Sequence, residues 1–220
     1  MDFLNDKIRP IYFKYLTAAF GSALIGSIYS VVDMAMVGQY HGPDGTAALA
    51  VVAPVWNIIY SLGLLMGIGG SVIFSTIRGK DSKYRTANEF FTTSVVGSVI
   101  LAAIAWIVII FFDKQLLTLF GSSGDLLPLG QRYLIPIKFV LPLFLFNQML
   151  AAYLRNDNDP ALATIAVLSG GIFNIFGDYF FVFGLDMGIF GAGLATALGT
   201  TLSFIVMMTH FISKKNTFAP

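Results

Sequence analysis

The stretch "GGIFNIFGDYFF", residues 170 to 181, sets an asparagine and an aspartate four positions apart in a run of glycine and large apolar side chains. Read as a helix, it carries Asn174 and Asp178 on one face, one turn apart. Whether that helix lies in water or in lipid decides the fold. In lipid a carboxylate costs roughly 2.5 to 3.5 kcal/mol on insertion scales, and such residues usually line ion or proton pathways.

Composition answers for lipid. Of 220 residues, 56% are hydrophobic, 11% are charged and 21 are phenylalanine, where soluble chains carry about 25% charged residues. The balance predicts an all-α membrane protein with several spans. A net charge of +1 argues against nucleic acid as a partner, because polyanion binding needs a concentrated basic face. With no cysteine, the chain has no disulfides, thiolate nucleophiles or cysteine metal sites, and two histidines make a histidine-built metal centre a poor reading. The apolar stretch after Lys7, Arg9 and Lys14 exceeds a signal-peptide core and reads as a retained first helix.

Apolar segments near the ~20 residues that cross a bilayer recur between short polar breaks. They predict helices at 11–37, 46–77, 88–112, 128–154, 161–183 and 188–212 in a single six-helix bundle over 1–220. Lys7, Arg9, Lys14, Arg78, Lys80, Lys83, Arg85, Arg155, Lys214 and Lys215 all fall on one side of that arrangement. Cytoplasmic loops hold the lysine and arginine excess, so both termini are expected in the cytoplasm, with the bilayer a cytoplasmic membrane. Small residues at helix-packing spacing, Gly63, Gly67 and Ser71 in the second helix and Gly191, Ala195 and Gly199 in the sixth, predict tight crossings.

Polar residues inside the spans mark the candidate site. Asp33 and Asp178 lie late in helices that run outward, each about 6 to 9 Å below the outer surface at 1.5 Å per residue. Asn174 sits about one turn deeper than Asp178, and Thr196 enters the sixth helix from outside to a depth of about 12 Å. Four oxygen-bearing side chains thus share one layer. Asn147 and Gln148, in the fourth helix, count nearer the inner side. Lys138 reads as a lysine reaching for the outer boundary, with a counter-ion role as the alternative.

An enzyme reading fails on topology. "GSSG" at 121–124 resembles the serine motif of six-helix intramembrane proteases, with His210 on the last helix as its base. Ser123 is expected at the outer face and His210 at the inner one, far beyond the ~3 Å a nucleophile and its base require.

The chain resembles the multidrug and toxic compound extrusion (MATE) transporters through "VVDMAMVGQ", "MGIGGSVIFSTIRGKD", "LRNDNDPALA" and "FNIFGDYFFVFGLDMGIFGAGLATALG". The resemblance implies one six-helix lobe of a twelve-helix cation-coupled efflux antiporter, not an enzyme. It implies a cation cavity of Asp33, Asn174, Asp178 and Thr196, with Asn147 or Gln148 from the fourth helix. The coupling ion would be Na+ or H+, any sodium being held by the first four residues, with no further cofactor. The substrate would be an amphiphilic organic cation. A second six-helix lobe, or self-association, would complete the transporter. Asn158 stands where such transporters commonly show glycine. The alternatives are a flippase for a lipid-linked oligosaccharide from the same superfamily, and a non-transporting membrane scaffold.

Overall fold

A computed structural model describes residues 8–81, 84–157, 159–214 and 216–218. These form α1 (Ile8–His41), α2 (Pro43–Asp81), α3 (Tyr84–Leu119), α4 (Leu126–Asn156), α5 (Pro160–Asp178) and α6 (Ile189–Met208). A π-helical turn, Tyr179–Gly184, extends α5, and a 3-10 turn, Thr209–Ile212, extends α6. The described residues contain no strand, and α2 through α6, with their extensions, are each long and apolar enough to cross a membrane. Phe20, Val31, Leu65, Ile100, Phe111, Phe139 and Phe176 stand exposed on the outside of the bundle, the arrangement lipid asks for where the polar backbone is satisfied within each helix.

The helices run longer than the hydropathy pattern suggested. The expected loop from 38 to 45 is almost all helix, broken only where Gly42 takes φ +69°. The third helix, expected to stop at 112, departs from helical geometry at that residue, Phe112 (φ −124°, ψ 19°), and then resumes to Leu119. The reason is Leu117, fully buried in the core beside Gly130, which holds the extra turns against α4. Lys114, past the expected end of the third helix, therefore stands on a helix. Lys7, Lys83, Asn158 and Lys215, which entered the sequence reading, lie outside the described residues.

The two small-residue stripes are helix crossings. A side chain at Gly63 would come within 2.8 Å of the Leu145 carbonyl oxygen, and one at Gly67 within 2.9 Å of Met149 Cα, so α2 lies directly on α4. Gly199 meets the carbonyl of Gly170 and Gly191 meets the backbone of Phe181, which seats α6 antiparallel on α5. At Gly193 a Cβ would stand 2.2 Å from the Tyr133 carbonyl oxygen, bringing α6 equally close to α4. Contacts α1–α5, α5–α6, α6–α4, α4–α2 and α2–α1 close a ring, and α3 packs outside it on α2 and α4. One end of the bundle carries the α1–α2, α3–α4 and α5–α6 connections and is called the turn end. The opposite end, with the α2–α3 and α4–α5 connections and the segment after α6, is the tail end.

Candidate functional site

The ring of five helices brings Asp33, Asn174, Asp178 and Thr196 together toward the turn end. Each arrives by a different local rule. Asp178 is the last α-helical residue before the π turn, whose wider coil ends in the bonds Leu185 N to Phe180 O (2.9 Å) and Met187 N to Phe181 O (3.0 Å). Asn174 precedes it by one turn on the same buried face, and Thr196 follows the close α5–α6 contact at Ala195 and Gly177. Asp33 comes from the buried side of α1, at 8% exposure, and Asp178 is fully buried.

A hydrogen-bonded chain joins the two carboxylates. The Tyr133 hydroxyl donates to Asp33 Oδ2 at 3.0 Å and lies 3.4 Å from Thr196 Oγ1. Asn174 Nδ2 donates to Thr196 Oγ1 at 3.1 Å and to Asp178 Oδ1 at 3.5 Å. Every donor is then used, and acceptors remain: Asp33 Oδ1, Asp178 Oδ2 and Asn174 Oδ1 are buried without a partner. Buried polar atoms are nearly always satisfied, so three unmatched oxygens in one place fit a positive species: a proton on a carboxylate or a small cation held by oxygen ligands. Among the described residues no group of three or more His, Asp or Glu could hold a metal ion. Amide and hydroxyl oxygens would therefore have to complete the shell around a sodium ion.

Asn147 and Gln148, nearer the tail end of α4, share a cavity with Asn174 and Thr196. This cavity, about 90 Å3, is lined by Tyr29, Asn147, Gln148, Asn174, Thr196 and Thr200 among others. It is roomy enough for several waters. Asn147 Nδ2 donates to the Thr200 carbonyl at 2.9 Å, and its Oδ1 is a fourth buried acceptor without a partner. Asp33 and Asp178 do not line the cavity but are joined to its lining residues, Thr196 and Asn174, through the hydrogen-bonded chain above.

Tyr133 is the residue the sequence reading missed. A signal was available: Tyr133, Ile137, Leu141, Leu145, Met149 and Tyr153 recur every fourth position of α4, and all are buried. A phenol at the turn end of a buried stripe, level with Asp33, is a donor placed for a carboxylate. Lys138 pairs with Asp113 of α3 at 2.7 Å, with Gln131 Nε2 donating to the same oxygen at 3.2 Å.

A model of the MatE family matches residues 18–180. The chain belongs to this family, the MATE transporters. It is 26% identical over 195 residues to the multidrug export proteins MepA of Staphylococcus saprophyticus and Staphylococcus aureus, a match covering 88% of this chain and 43% of each relative. The chain thus spans less than half the length of the curated relatives it matches. Its fold superposes on the MATE multidrug transporter DinF-BH with a TM-score of 0.89, at 24% identity, over 97% of this chain and 48% of that one. A MATE transporter of the MOP superfamily in an outward-facing conformation gives 0.83 at 23% identity, over 92% of this chain and 45% of that one. The chain is therefore a multi-pass membrane protein of a transporter family, built on the fold of one MATE half.

Proposed function

We propose that the chain is the cation-binding half of a cation-coupled multidrug efflux antiporter in the cytoplasmic membrane. The observation that carries this reading is the pair of buried carboxylates, Asp33 and Asp178, joined through Tyr133, Thr196 and Asn174, each with one oxygen unmatched. Such a pair is unfavourable as it stands and is relieved by a proton or sodium ion. A cation entering from the turn end would thus bind one conformation better than another, and that difference in binding free energy is what can drive a second solute the other way. Asn147 and Gln148 would supply the inner wall of the same cavity. The substrate, an amphiphilic organic cation, would pass between this bundle and a second one, since alternating access needs two bodies rocking about a site. No observation favours the flippase reading, whose basic cavity would need Lys138: that lysine is paired with Asp113 outside the ring.

Binding is testable in this chain alone. The purified chain in detergent should gain thermal stability on adding sodium or on acidification, and the Asp33→Asn, Asp178→Asn double variant should lose that gain. An unchanged gain in the double variant removes these residues from the site. In the proposed orientation the turn end is extracytoplasmic and the tail end cytoplasmic, with both termini inside. A single cysteine at Thr46 should label with an impermeant thiol reagent in intact cells, and one at Ser82 should not. Labelling at Ser82 alone inverts the orientation.

A further inference from the structure

Pro142 interrupts α4 within its span, and a neighbouring helix mends the break. A proline has no N–H, so the carbonyl four positions before it loses its helical donor and the axis bends there. In α4 that carbonyl belongs to Lys138. Lipid offers no water to satisfy it. The Trp106 indole N–H of α3 donates to it at 2.5 Å. Trp106 is itself exposed on the outside of the bundle, so the same bond satisfies an indole N–H that would otherwise face lipid. Two side chains of α4 add links to α3, Lys138 Nζ at 2.7 Å and Gln131 Nε2 at 3.2 Å from one oxygen of Asp113.

The arm of α4 on the turn-end side of this break carries Tyr133. Tyr133 stands nine residues before Pro142, an arm of about 13 Å at 1.5 Å per residue. A change of about 10° in the bend moves the end of such an arm by about 2 Å, enough to make or lose the 3.0 Å bond from the Tyr133 hydroxyl to Asp33 Oδ2. Lys138 and Tyr133 lie about 140° apart around the helix, so bending toward or away from α3 chiefly withdraws the phenol from the ring interior or advances it. On the ring side α6 bears on the same arm, where a Cβ at Gly193 would stand 2.2 Å from the Tyr133 carbonyl oxygen. We propose, resting on the cation site described above, that Trp106 is a positioning residue for that site: its bond to the Lys138 carbonyl sets the bend of α4 that brings the Tyr133 hydroxyl to Asp33. The links through Asp113 do not replace it. Lys138 and Gln131 reach that carboxylate through rotamer-rich side chains that accommodate several bends, whereas the indole is rigid and meets the backbone itself beside the hinge.

The test titrates the full chain in detergent with sodium or with acid and reads apparent cation affinity from the gain in melting temperature. Trp106→Phe keeps an aromatic ring against α4 and removes the N–H. It should shift that affinity in the same direction as Tyr133→Phe and by no more, about three- to tenfold. With Tyr133 already replaced by Phe, there is no phenol to misplace, and Trp106→Phe should add less than about twofold. Pro142→Ala returns a helical N–H to the Lys138 carbonyl, and Trp106→Phe should be equally silent in that background. A merely structural tryptophan would instead lower the melting temperature alike in all three backgrounds and leave the affinity unmoved. A Trp106→Phe chain that binds as the wild type does, or whose shift persists undiminished without the phenol, overturns the positioning role alone. A wild-type chain with no cation-dependent gain overturns the cation reading, and this role falls with it. Should Trp106→Phe not fold, indole exchange decides, since Trp56 and Trp106 are the two tryptophans of the chain. Coupling is reciprocal, so the cation should slow hydrogen exchange of the Trp106 indole N–H by a similar factor in the wild type and leave it unchanged in Tyr133→Phe. Equal exchange with and without cation in a wild-type chain that binds it overturns the role.

Discussion

Asp33 and Asp178 toward the turn end and Asp157 and Asp159 at the tail end are four carboxylates withdrawn from water in one bundle, with opposite surroundings. Asp157 has an arginine, a histidine, a backbone N–H and a hydroxyl. Asp33 has one phenol and Asp178 one distant amide, and each keeps an unmatched oxygen. The paired cluster joins the ends of helices and fixes them. The unmatched one sits among packed helices with a cavity of about 90 Å3 beside it, where an incoming positive charge gains most. Burial alone therefore does not distinguish a functional carboxylate from a structural one, whereas the tally of donors does.

Breaking the unmatched cluster should abolish function while sparing the fold. Asp178→Asn keeps the shape and removes the charge, so the cation-dependent gain in melting temperature should be lost, with the melting temperature itself unchanged or raised. A melting temperature well below wild type would place Asp178 with the structural carboxylates and erase the contrast. Asp157→Ala should do the reverse, leaving the buried His210 and the part-buried Arg78 without the carboxylate they share at a cost of about 3 kcal/mol, read as lost thermal stability and folded yield. A third substitution leaves charge untouched. Gly199→Ala places a methyl 2.6 Å from the Gly170 carbonyl oxygen, and prising α5 from α6 should cost about 1 to 3 kcal/mol in thermal unfolding. Because Asn174 and Thr196 flank that crossing, cation-dependent stabilisation should weaken with it. The mildest change is Tyr133→Phe, which removes one hydrogen bond to Asp33, worth about 0.5 to 1.5 kcal/mol. It should alter the apparent cation affinity by about three- to tenfold with little change in global stability. Binding titrations monitored by melting temperature check both effects.

Much of this was legible in the residues. Hydropathy and composition determined an all-helical membrane protein, because a chain with so few charges and so many apolar runs has no other place to satisfy its backbone. Helical periodicity put Asn174 on the face of Asp178, and rise per residue put Asp33 and Thr196 at a similar depth, since both are properties of a single helix in a slab of known thickness. The small-residue stripes likewise announced close crossings, though not which helix each would meet. Three things needed the tertiary structure. Tyr133 joined the site only when the Gly193 contact drew α6 onto α4, for a tyrosine in an apolar run looks the same whether it faces lipid or a carboxylate. Lys138 found Asp113 because α3 continued past its kink at Phe112, held by the burial of Leu117, and hydropathy has no term for a partner 25 positions away. His210 and Asp157 met across 53 residues because the segment after α6 folds back under the bundle. Depth and face are written along one helix, and so the sequence determines them. Which donor meets which acceptor depends on how helices are rotated and where they cross, and packing alone decides that.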